Sequence, residues 1–123
     1  KEREQRRAML KEYISIMMNS KLEHFLPRVY KNKELEIVPF RFVFTHPEAE
    51  KIKKIMSKYI DVNSMLFKSP IVCSPDGPES LGYSFGSCLI SEKVGSEIIN
   101  WPCILPEKHH AKILEIFKQI ADC

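Results

Sequence analysis

The chain has 123 residues, 44% of them apolar and 28% charged, which suffices for one globular domain with a modest core but not for a two-domain enzyme. Nineteen basic and sixteen acidic residues give a net charge of +3, too balanced for a nucleic-acid surface. The uncharged residues 69–75 are broken by prolines and serines, and nothing in the chain reads as a membrane span.

Residues 1–20 read as a helix. Leu10, Tyr13, Ile14 and Met17 fall at i, i+3, i+4 and i+7 and share one face, which Met9, Ile16 and Met18 widen. Glu2, Arg3, Glu4, Arg6, Arg7, Lys11 and Glu12 solvate the remainder, with opposite charges placed to pair along the helix. This charged start is unlike a signal peptide, and the helix is already under way at Lys1, so a piece of a longer protein is expected.

A connecting segment follows from Leu22 to Lys33, broken at Pro27 and turned at Asn32. From Leu35 the period changes to two: Phe40, Phe42 and Phe44 take one face of a strand, Arg41 and Val43 the other. Thr45 is expected to cap the next helix, with Glu48 closing a capping box and Pro47 in the first turn. That helix runs to about Tyr59, with Ile52, Ile55, Met56 and Tyr59 inward and Lys51, Lys53, Lys54 and Lys58 in water.

Asp61–Phe67 reads as a second strand. It follows the first through a helical crossover, so the two are expected to be parallel neighbours. Residues 68–87 hold Pro70, Pro75, Gly77, Pro78, Gly82 and Gly86 and form a long loop, a length usually kept for function; Tyr83 and Phe85 are expected to anchor it. Ser91 then caps a short helix to about Ser96, Ile98-Ile99 adds an edge strand stopped by Asn100-Trp101-Pro102, and Pro106 opens a terminal helix. Its buried face is Ile113, Leu114, Phe117, Ile120 and Ala121. The elements give an α+β domain: a small sheet of three to four strands covered by helices.

Cys73, Cys88, Cys103 and Cys123 lie fifteen or more residues apart and offer no Cys-x-x-Cys half-site for zinc, so reduced thiols, buried or terminal, in a cytoplasmic protein are expected. His109 and His110 are adjacent and diverge on a helix; His24 and His46 have no partner that the sequence names. Cys88 is a nucleophile only beside a base, and reads as a packed thiol; Trp101 reads as a hydrophobic plug.

The run from Cys88 through Ser91-Glu92 and the Asn100-Trp101-Pro102 strand end to a closing helix resembles the C-terminal end of the DegT/DnrJ/EryC1/StrS family of sugar aminotransferases. Arg41-Phe42 on the first strand and Phe67-Lys68-Ser69-Pro70-Ile71 after the second resemble that family too, although Val72 stands where its members carry histidine. The resemblance implies the C-terminal small domain of a fold-type I, pyridoxal-phosphate-dependent nucleotide-sugar aminotransferase, with residues 1–20 as the connector helix and 35–123 as the small domain proper. It implies a homodimer whose catalytic lysine and cofactor site belong to an N-terminal domain outside this chain, and a sugar-nucleotide substrate shaped partly by Arg41, Phe67, Lys68 and Pro70. Transamination needs a Schiff-base lysine, a carboxylate on the pyridinium nitrogen and a phosphate cradle, and none is locatable in these residues. The readings set against this one are a stand-alone small-ligand-binding or dimerisation module, and a degenerate transferase-derived domain.

Overall fold

The computed structural model describes residues 1–62 and 76–123. Within them the chain is α+β: helix α1 (Glu2–Met18), strand β1 (Arg41–Thr45), helix α2 (Ala49–Met56), helix α3 (Leu89–Glu97), strand β2 (Ile98–Pro102) and helix α4 (Glu107–Asp122), with short 3-10 turns at 23–25, 28–31 and 78–81. Asp61 and Val62 are not in a strand, and the rest of the strand expected to Phe67 lies outside the described residues, as do Phe67, Lys68, Pro70, Val72 and Cys73.

Residues on opposite sides of the chain build the core. β1 and β2 pair antiparallel, Phe42 opposite Trp101 and Phe44 opposite Ile99. Alternation along a pleated strand puts all four side chains on one face, where each is buried. α1 and α4 lie against each other across that face and supply Tyr13, Met17, Ile113 and Phe117. The rings interlock. Tyr13 stacks on Phe42 at 5.0 Å between centroids, and Trp101 meets Phe117 edge-on at 4.6 Å and Phe44 at 5.4 Å. The Tyr13 hydroxyl donates to the Pro102 carbonyl at 2.9 Å, so the apolar ring is buried without stranding its polar tip.

The helix ends follow from short polar side chains. At the end of α1 the Asn19 side-chain amide donates to the Ser15 carbonyl and the Ser20 hydroxyl to that of Met17, adding to the backbone N–H bonds those carbonyls already accept. The turn expected at Asn32 forms, its side-chain oxygen accepting the Glu34 N–H at 3.0 Å. On β1, the Val43 N–H donates to the Tyr30 hydroxyl at 3.3 Å.

Several expectations are corrected. Thr45 remains in β1 and caps nothing; α2 starts four residues later, after a turn in which His46 Nδ1 accepts the Glu48 N–H at 3.0 Å. α2 also ends at Met56 rather than near Tyr59. Lys53 is not in water. It is 7% exposed, its stem lying along the domain and its ammonium paired with Glu50 at 2.9 Å. Phe40 precedes the strand and is 69% exposed, because the pleat that buries Phe42 and Phe44 begins only at Arg41. Its ring instead carries the Arg6 guanidinium, 5.4 Å from the centroid.

Ser91 does not cap α3. The helix begins two residues earlier, at Leu89, and it is Glu92 that reaches back, accepting from the Gly86 N–H (2.6 Å) and the Tyr83 hydroxyl (2.8 Å). Gly86 holds a left-handed φ of 91°, a turn that brings its N–H onto that carboxylate and that a side chain would strain. Tyr83 thus ties the end of the loop to α3, whereas Phe85 remains exposed.

Candidate functional site

Arg41, the described member of the expected substrate set, is the first residue of β1 and half-buried. One Nη donates to the Asp61 carbonyl at 2.6 Å and to the Asn100 carbonyl at 3.2 Å. The guanidinium therefore joins three parts of the chain: β1, β2 and the residue leading toward segment 63–75. Beside it, Asn100 is buried, and neither its Oδ1 nor the Trp101 Nε1 meets a hydrogen-bond partner among the described residues. Replacing Arg41 with methionine keeps the stem but removes the fork, and is expected to lower stability by about 1–2 kcal/mol, read as a shift of the urea midpoint.

The opposite end of β1, roughly 13 Å away at strand rise, carries a second constellation. His46 follows Thr45 and anchors its own N–H on the Glu97 carbonyl at 2.9 Å. The turn at 23–25 brings Phe25 against it, 4.4 Å between ring centroids, and His24 packs on Phe25 at 4.0 Å. The two histidines that the sequence left without partners therefore contact the same aromatic ring. Burial holds the His46 imidazole below its ordinary pKa, with the nearby Glu48 opposing and His24 adding to the shift. These rings border a cleft of about 510 Å3 between the 21–25 turn, α2 and α4. Twenty-two residues separate His24 from His46, and no periodicity links them; only the antiparallel return of the chain does.

A third region is a cleft of about 530 Å3 between α1 and residues 30–37, with Arg7, Lys11, Lys31 and Lys33 on its walls. Arg7 and Arg3 both pair with Glu36 across it, and Lys31 with Glu23.

The thiols sort by exposure. Cys103 is buried and its thiol is pushed up to about 11 by desolvation, whereas Cys88, expected to pack, is exposed like Cys123. Burial both lowers the thiolate fraction of Cys103 and shields its sulfur from reagents. Cys88 and Cys123 are accordingly expected to react at once with a thiol reagent in the native protein, and Cys103 only on unfolding, as peptide mapping of the labelled chain would show. Among the described residues no three His, Cys, Asp or Glu side chains gather as a metal site, and no helix is long and apolar enough to cross a membrane.

The remaining surface feature is apolar. α3 buries only Gly95; Leu89 and Ile90 are 69% and 81% exposed, and Leu81 and Phe85 nearby are exposed as well. A helix with so little of its surface covered gains little from packing. Comparison of the chain with protein-family models, with curated proteins and with solved structures finds no match in any of the three.

Proposed function

We propose that this chain is the C-terminal small domain of a pyridoxal-phosphate-dependent nucleotide-sugar aminotransferase resembling the DegT/DnrJ/EryC1/StrS family, working in the cytoplasm as part of a homodimer. The observation that carries the reading is the order of elements around the resembling motifs. Arg41-Phe42 opens a strand, a short helix starts after Cys88, β2 ends at Trp101-Pro102, and a terminal helix packs back on the first. The exposed face of α3 also suits a domain that docks on a larger one. In this reading the small-domain sheet has three to four strands, and Arg41, with Phe67, Lys68 and Pro70, shapes the sugar side of the cleft. By holding the Asp61 carbonyl, Arg41 fixes the point from which the chain runs on toward those residues.

In this reading the cofactor, which supplies the electron sink for transamination, is held mainly by the N-terminal domain, and the buried Lys53, ion-paired with Glu50, has a structural role. The test is the whole gene product that contains this chain. Expected are a visible absorption band with added pyridoxal phosphate, borohydride trapping of the cofactor on a lysine outside residues 1–123, and amination of a keto-sugar nucleotide. A full-length product that shows neither the band nor the trapped lysine would overturn the proposal. The cleft beside His46 favours a second reading, a stand-alone small-ligand module.

A further inference from the structure

We infer that the cleft bordered by His24, Phe25 and His46 is a binding site for a small amphipathic monocarboxylate: a compact apolar or aromatic body with one anionic head. The inference is independent of the aminotransferase reading, since the cleft lies at the end of β1 opposite Arg41.

Size comes first. A volume of about 510 Å3 falls in the range of small-molecule sites, roughly 300–1,000 Å3. Its floor is aliphatic, with Ile52, Ile55, Ile116 and Ile120 from α2 and α4, and Phe25 forms one wall. Such a surface suits a hydrocarbon or ring better than a body hydroxylated on every side.

The rim decides the head group. Four basic side chains, Lys21, Lys51, His24 and His46, line the cleft with one acidic side chain, Glu48, and with the backbone at Cys123. Lys51 reaches Glu48 at 3.4 Å and Lys21 reaches the Cys123 carbonyl at 3.4 Å, both long, solvent-exposed contacts from which an ammonium can swing to a ligand at little cost. His46 adds a directed donor. Its Nδ1 accepts the Glu48 N–H, so the neutral ring carries its proton on Nε2. Protonation keeps Nε2–H and adds positive charge at the expense of the bond from the Glu48 N–H, since the Nδ1 lone pair cannot take a proton and accept that N–H together.

The pH sign follows from the groups that face His46. Glu48 and Glu97 favour its charged form; His24 and burial disfavour it; Lys51 and Lys21 stand at the rim. A bound carboxylate adds a negative charge to that balance. Affinity therefore rises as pH falls through the imidazole range and levels off once His46 is protonated.

The experiment is an NMR titration of the chain with phenylacetate and with its neutral counterpart phenylacetamide, following the ring C–H signals of His24 and His46. Expected are saturable shifts confined to the residues of this cleft, and binding of the acid about ten-fold tighter than the amide. The gap should widen between about pH 8 and pH 6. Ile55→Glu, at a partly exposed floor position, and Lys51→Glu, at the exposed rim, should each weaken phenylacetate about ten-fold. If one of them fails to fold, the other gives the same reading. Equal affinity for acid and amide, shifts centred on Arg7 and Lys11 in the cleft beside α1, indifference to both substitutions, or no saturable shift would each overturn the assignment.

Discussion

Trp101→Ala is expected to be the most damaging single truncation in the domain, costing about 3–5 kcal/mol against a total stability of roughly 5–15 kcal/mol. Trp101 is fully buried at the centre of the ring cluster, touching Tyr13, Phe44 and Phe117, and it lies on β2 directly opposite Phe42. Removing the indole leaves a cavity whose walls come from both strands and from α1 and α4, so no one element can move in to fill it. Trp101→Phe separates the contributions. It keeps a ring in the cluster and deletes an indole N–H that has no partner among the described residues, so its cost should be nearer 1–2 kcal/mol. Urea melts monitored by far-UV circular dichroism would rank the two, and equal losses would mean that the nitrogen, not the ring, is what the site needs.

The second large effect is expected at a surface rather than in the core. Leu89→Glu combined with Ile90→Glu should leave the stability of the 123-residue chain within about 0.5 kcal/mol, since both side chains already face solvent. If the chain docks on a larger domain as proposed above, the same pair should weaken that docking by about 2–4 kcal/mol, the size of an interface hot spot. The comparison is between two thermal melts: an unchanged midpoint for the chain alone, a lowered one for the whole protein. A lowered midpoint for the chain alone would place the α3 side chains in this domain's own fold.

How far the sequence could be read depended on which forces act locally. The 3.6-residue spacing of Leu10, Tyr13 and Met17, and of Ile113, Phe117 and Ala121, located α1 and α4, because a helix that buries one face must repeat in that way. Alternation located Phe42 and Phe44. Failures clustered at the caps. Thr45 and Ser91 have the right chemistry for a helix start, but Thr45 is held in β1 opposite Ile98, and Glu92 reaches back across the turn before α3. Tertiary pairing outweighed a local preference worth about 1 kcal/mol. Lys53 was misread because a charged head hides how apolar a lysine stem is. Arg41 could be placed on its strand from sequence, but not its two carbonyl partners, and His24 with His46 left no local signal, since partners brought together by a strand return have no spacing rule.

The order of assembly carries one more consequence. β1 ends at Thr45 and its only described partner strand begins at Ile98, more than fifty residues later, while α1, at one end of the sequence, packs on α4 at the other. Closing so long a loop costs entropy before any contact repays it. On the ribosome, the first half of this chain emerges with Tyr13, Phe42 and Phe44 still lacking Trp101 and Phe117. Among the described residues, their cover is completed only by β2 and the final helix. The domain is therefore built to fold late and all at once, and its nascent N-terminal half is the form most exposed to chaperones and to aggregation.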